Sequence, residues 1–127
     1  MKRRLGIKTI LLKVTHDMHV AHQTLLENFL QAQRILVDPG LTVYQLPDGT
    51  IIELYGPGSS YPPFLFQHSN IVIGYRVPHL SKAIQALLKT GARQLGEVVT
   101  ITHQNCYCFM LLNGTQVIGL YQINAVA

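Results

Sequence analysis

Apolar residues along this chain change their spacing from alternate positions to every third or fourth and back, and the change occurs twice in the same order. Lys8 to Val14 is a short run rich in strand formers, and Asp17 after it is the expected helix cap. Met18, Ala21, Leu25 and Phe29, flanked by His22 and Leu26, then recur at helical steps and predict one apolar helix face. His19, Gln23, Glu27 and Gln31 fall largely off that face. Arg34 to Val37 reads as a strand ended by Asp38-Pro39-Gly40. Leu41 to Leu46 and Thr50 to Tyr55 flank Pro47-Asp48-Gly49, where proline presets one backbone angle and Asp-Gly accepts positive φ, so a hairpin is expected.

Gly56-Pro57-Gly58-Ser59-Ser60-Tyr61-Pro62-Pro63 can continue neither a sheet ladder nor a helix and marks a linker. Beyond it Asn70 to Val77 is strand-like, Leu80, Ala83, Ile84, Leu87 and Leu88 give a helical face, and Gly91 is the helix stop. Gln94 to Thr102, Cys106 to Leu112 and Gln116 to Ile123 read as three further strands. The second half thus repeats the first. Val14 and Val77 are 63 positions apart, Gly49-Thr50 and Gly114-Thr115 are 65 apart, and Leu54-Tyr55 and Leu120-Tyr121 are 66 apart. The one-residue slip between Thr115 and Gly119 predicts a β-bulge or an extra turn residue in the second copy. The class is α+β, two tandem βαβββ modules in one domain, with module 1 at about 7–56, a linker at 57–67 and module 2 at about 68–124.

Composition narrows the function classes. With 127 residues, 48% of them hydrophobic, the chain can bury an ordinary core. Only 13% are charged, which leaves little polar cover and predicts a homodimer with an apolar interface. Lys2, Arg3, Arg4 and Lys8 hold four of the ten basic residues, so six basic face six acidic elsewhere and no basic stripe suits nucleic acid. The run Ile10-Leu11-Leu12 is too short for a signal core or a membrane span, so the expectation is a cytoplasmic protein without a membrane partner. Cys106 and Cys108 point to one side of a strand and read as buried thiols, and Asn113-Gly114-Thr115 reads as a turn.

Glu53 stands alone among Ile51, Ile52, Leu54 and Tyr55, where a carboxylate needs water, a partner or a metal. His16, His19 and His22 are spaced by threes, which suits a helical chelate, but no carboxylate motif accompanies them, so surface or boundary histidines are expected. His68, His79 and His103 fall near loops without a visible partner. No nucleophile elbow and no glycine-rich phosphate loop occurs.

Pro47-Asp48-Gly49-Thr50-Ile51-Ile52-Glu53-Leu54, together with Tyr75-Arg76-Val77-Pro78-His79-Leu80 leading into a helix that ends at Gly91-Ala92, resembles the vicinal oxygen chelate superfamily of glyoxalases, bleomycin-resistance proteins and extradiol dioxygenases. The resemblance covers nearly the whole chain. It implies a pair of half-barrels around a ligand cavity, often in dimers, with metal ligands on the first and last strand of each module. Glu53 matches one such position, whereas the others fall on Thr9, Val72 and Gly119 or Ile118. One carboxylate falls short of the three or four donors a divalent metal needs, so no cofactor is expected and Glu53 is the one family ligand position matched.

Strand alternation within that fold turns Thr9, Leu11 and Lys13 inward, with Val72, Gly74 and Arg76 as their counterparts. Ile51, Glu53 and Tyr55, with Val117, Gly119 and Tyr121, complete the wall. Lys13 and Arg76 suit an anionic ligand or lie at the rim, and Glu53 is either the candidate catalytic base, accepting a ligand donor, or the salt-bridge partner of Lys13 or Arg76. Tyr61, Phe64 and Phe66 are expected over the cavity mouth or against a second subunit. The leading expectation is a dimeric, bleomycin-resistance-like binder of an anionic or aromatic small molecule. The alternatives are a metal-dependent lyase, isomerase or oxygenase using Glu53 with donors such as His68 or His103, and a non-catalytic dimeric interaction module.

Overall fold

The computed structural model describes residues 5–102 and 105–123, and strand, helix and three strands follow one another twice along it. Two compact units result: one holds Thr9–Ile71, the other the described residues from Val72 to Ile123 together with 5–8. The elements are β1 (Gly6–Lys13), α1 (His16–Phe29), β2 (Gln33–Asp38), β3 (Leu41–Gln45) and β4 (Ile51–Tyr55), then β5 (Ile71–Arg76), α2 (Leu80–Leu88), β6 (Arg93–Thr102), β7 (Asn105–Leu112) and β8 (Gln116–Ile123). Strand order is β2-β3-β4-β1 in the first unit and β6-β7-β8-β5 in the second. In each, the opening strand runs parallel to the last and the hairpins are antiparallel. The fold is therefore α+β, with the duplicated βαβββ topology that the residue pattern predicts.

Each unit buries one face of its strands under its own helix. In the first, Val14, Leu26, Tyr44, Ile52 and Leu54 form the core, with Ile10, Leu12 and Leu46 packed against it. In the second, Leu80, Ile84, Cys108, Met110, Ile118 and Leu120 do so. Alternation then fixes the opposite face: Thr9, Leu11, Lys13, Glu53 and Tyr55 point away from α1. Cys106 and Cys108 share the α2 side as expected, and burial pushes the Cys108 thiol up to about 11.

Helix α1 departs from expectation at its start and in its orientation. Thr15, not Asp17, is the cap: its side chain accepts from the Met18 N–H, and Asp17 sits in the first turn where a carboxylate suits the helix dipole. The face packed on the strands carries Leu26, 3% exposed, and half-buried His19, His22 and Gln23. Met18, Leu25 and Phe29, 44%, 48% and 73% exposed, look outward. Glu27 explains part of the rotation, because it accepts hydrogen bonds from both the Tyr44 hydroxyl and Arg34, fastening α1 to β3 and β2. Helix α2 follows the predicted pattern, with Leu80 and Ile84 inward and Gly91 at φ 95° ending it. Its cap comes from elsewhere: the Leu80 N–H donates to Oε1 of Gln122 on β8 at 2.7 Å.

The two β-hairpins match without a slip. Leu46 and Thr50 close the first turn at 2.8 Å, Leu112 and Gln116 pair at the second, and the β7–β8 register is unbroken. No bulge interrupts β8, so the apparent offset comes from aligning two Gly-Thr pairs that occupy different places in their turns. The counterpart of Glu53 is consequently Gly119: Glu53 lies opposite Leu11, and Gly119 opposite Gly74. Register shifts occur instead in β2 and β6. Among the described residues no helix is long and apolar enough to cross a membrane.

Candidate functional site

Leu11 pairs with Glu53 and Lys13 with Tyr55, so β1 and β4 present a cation, a carboxylate and a phenol on one face of the first unit. Glu53 is half-buried, and its partner is neutral: the Tyr55 hydroxyl donates to Oε1 at 2.5 Å. The expected salt bridge from Lys13 is not formed, because its ammonium sits over the Tyr61 ring, 5.8 Å from the centroid. Among the described residues the ion pair is instead Arg34 with Glu27. Arg76, in the other unit, donates to the Ile123 carbonyl at 2.7 Å.

The linker returns to this face. Tyr55, Tyr61 and Phe66 form an edge-to-face trio with centroids 5.0 to 5.9 Å apart. Leu65 and Phe66 are 1% and 9% exposed, so this stretch is packed structure rather than a free tether. At the ends of β1 and β4 a cavity of about 310 Å³ remains, lined by Lys13, Thr15, His16, Tyr55, Ser59 and Tyr61 among others. It brings together two of the predicted residues, Lys13 and Tyr55, and Glu53 stands one hydrogen bond behind its wall. Ser59 was not foreseen as lining it, since the linker's return path has no periodic signal, and His16, the first residue of α1, reads from its spacing only as a surface or boundary histidine.

The corresponding face of the second unit is filled. A Cβ at Gly119 would meet Tyr121 Cε1 at 2.9 Å, Phe109 Cε1 at 3.2 Å and Gly74 Cα at 3.4 Å. Tyr121 stacks on Tyr107 at 5.2 Å, and Lys8 lies 4.7 Å above the Tyr121 ring. Val72 is 1% exposed and contributes packing.

A divalent metal at the family's four positions has too few donors here. Glu53 supplies a carboxylate and Thr9 a fully buried hydroxyl with no hydrogen-bond partner, while Val72 and Gly119 supply nothing. Among the described residues no group of three His, Cys, Asp or Glu side chains is placed to hold a metal. The α1 histidines are engaged separately, His19 Nε2 with Thr42 Oγ1 at 3.1 Å and His22 Nδ1 donating to the Met18 carbonyl at 2.8 Å. His68 and His79 are exposed, and His103 lies outside the described residues.

No family model and no curated protein matches the chain. Solved structures do. Methylmalonyl-CoA epimerase from Mycobacterium tuberculosis aligns at 19% identity over 94% of this chain and 89% of its own, with a TM-score of 0.64. A glyoxalase/bleomycin resistance protein/dioxygenase superfamily member from Vibrio splendidus 12B01 aligns at 14% over 94% and 100%, with a TM-score of 0.63. A single-residue variant of Streptomyces coelicolor methylmalonyl-CoA epimerase, in complex with 2-nitronate-propionyl-CoA, aligns at 14% over 94% and 98%, with a TM-score of 0.61. Duplicated topology, matched hairpins and these neighbours agree: the chain has the vicinal oxygen chelate fold of the glyoxalase, bleomycin-resistance protein and dioxygenase superfamily.

Proposed function

We propose that this protein is a cytoplasmic, homodimeric binder of a small anionic or aromatic molecule, of the bleomycin-resistance type and without a metal of its own. The cavity of about 310 Å³ at the ends of β1 and β4 carries the reading, because it combines a lysine ammonium, two tyrosine rings and little other charge. That mixture suits a carboxylate or phosphate on an apolar body. Tyr55 links the cavity wall to Glu53, which accepts a ligand donor directly or through that phenol. Support comes also from the Streptomyces neighbour, whose ligand is an acyl-CoA derivative.

The test is thermal unfolding with propionyl-CoA and benzoate as probes. A ligand at a hundred times its Kd stabilises by about 2.7 kcal/mol. Stabilisation by at least one probe, weakened about tenfold by Lys13→Ala and unchanged by chelator, is expected. Stoichiometric metal in protein purified without chelator, with an activity that chelation abolishes, would establish the metal-dependent enzyme reading instead.

A further inference from the structure

A second polar cavity of the first unit lies on the α1 side of the strands, away from Glu53. It measures about 410 Å³ and is lined by His16, His19, Gln23, Val37, Asp38 and Thr42 among others. Glycine backbone forms part of its floor. A Cβ at Gly40 would fall 2.3 Å from the Ser59 nitrogen, and the Gly56 N–H donates to the Gly40 carbonyl at 2.7 Å.

The polar lining comes with the rotation of α1, in which His19 bonds Thr42 and Gln23 bonds Tyr44. A helix on a sheet normally turns its apolar stripe inward, yet α1 places His19 and Gln23 toward the strands and leaves Met18, Leu25 and Phe29 outside. Conflicts of this kind between local pattern and packing concentrate at functional sites. His19 is also held in place, its Nε2 bonded to the hydroxyl of Thr42, which is 5% exposed. The remaining polar groups, His16, Gln23 and Asp38, enter from α1 and from the end of β2.

We infer that this cavity binds a small organic cation, an ammonium on a partly apolar body, with Asp38 as its counter-charge and the His19 and Gln23 side chains as hydrogen-bonding neighbours. Lysine and arginine are absent from the lining, whereas Asp38 contributes a carboxylate that forms no ion pair among the described residues. An anion would therefore meet like charge without compensation, and an ammonium would meet its complement. Val20 and Val37 supply the apolar wall. A metal ion is not the occupant, since no three donor side chains converge among the described residues.

Three probes of one shape separate the charge states: tyramine as cation, 4-ethylphenol as neutral body and 3-(4-hydroxyphenyl)propionate as anion. Titrated at about pH 8 into the intact protein with ¹³C-labelled histidine, tyramine is expected to shift the His19 ring resonance saturably. At His19, which lines this cavity and not the one beside Tyr55, the neutral analogue should act more weakly and the anion not at all. Asp38→Asn, at the exposed end of β2, should weaken tyramine about tenfold while leaving the melting temperature unchanged. Lys13→Ala should leave tyramine binding intact, which separates this cavity from the one beside Tyr55. A His19 shift with the anion equal to that with tyramine, an unaffected Asp38→Asn variant, or no His19 shift with millimolar tyramine overturns the inference.

Discussion

Glu53 and Gly119 hold matching places in the two hairpins, and their neighbours decide what each can be. Beside Glu53 a phenol donates a hydrogen bond; beside Gly119 the rings of Tyr121 and Phe109 occupy the space a side chain would need. Gly119→Ala should accordingly cost about 1–3 kcal/mol in urea unfolding, because rings already packed must move. Had that side of the strand been open, alanine would be nearly neutral. A second residue under local constraint is Gln31, whose φ of 53° follows the end of α1. The Leu30 N–H donates to the Leu25 carbonyl at 3.2 Å and the Ala32 N–H to that of Leu26 at 3.0 Å, the closing pattern in which glycine is favoured at the left-handed residue. Gln31→Gly should raise stability by up to about 1 kcal/mol, relief of the left-handed strain outweighing the added freedom of the unfolded chain.

Elements were legible where their signals are local and misleading where a tertiary bond outweighs them. Turn chemistry at Asp48-Gly49 and Asn113-Gly114, the stop at Gly91 and the inward face of α2 all follow from neighbouring residues, and the structure agrees. The α1 face did not follow, since the helix is rotated by contacts that no spacing encodes: His19 on Thr42, and Glu27 between Tyr44 and Arg34. Likewise Glu53 was legible as a residue needing a partner, but the choice of Tyr55 over Lys13 depended on the linker returning Tyr61 beneath the ammonium. The Glu27 junction has a pH signature. The Tyr44 hydroxyl first, then Arg34, holds the Glu27 carboxyl below its ordinary value of 4.5. A depressed folded-state value means that this contribution is fully present above the unfolded value and is lost as pH falls through the folded one. Glu27→Gln should thus be less stable than the parent at neutral pH, and the difference should shrink on acidification. Chemical unfolding at a series of pH values measures both, and an unchanged difference across the acid range would show that α1 is fastened by other contacts.

For the molecule as a whole, exposed apolar surface is the property that a single copy leaves unexplained. Phe29 and Leu25 stand outward on α1, Ile35 and Leu36 are 47% and 44% exposed on β2, and Ile101 is 64% exposed on β6. Strands β2 and β6 each end the order of their unit, so their outer backbone edges go with these side chains. Apolar edge strands of this kind invite pairing with a further chain unless charge or cover prevents it. The proposed homodimer removes both hazards at once, provided that it buries about 1,200–2,000 Å² in total, as stable interfaces do. It should therefore sediment as a dimer at micromolar concentration, and its melting temperature should climb as protein concentration rises, because association then contributes to folding. Phe29→Glu, which places a charge at the C-terminal end of the outward α1 stripe without touching a core contact, should shift the equilibrium toward monomer and flatten that dependence. A monomer at every concentration, with Phe29→Glu improving solubility and nothing else, would instead assign the apolar stripe to a different partner.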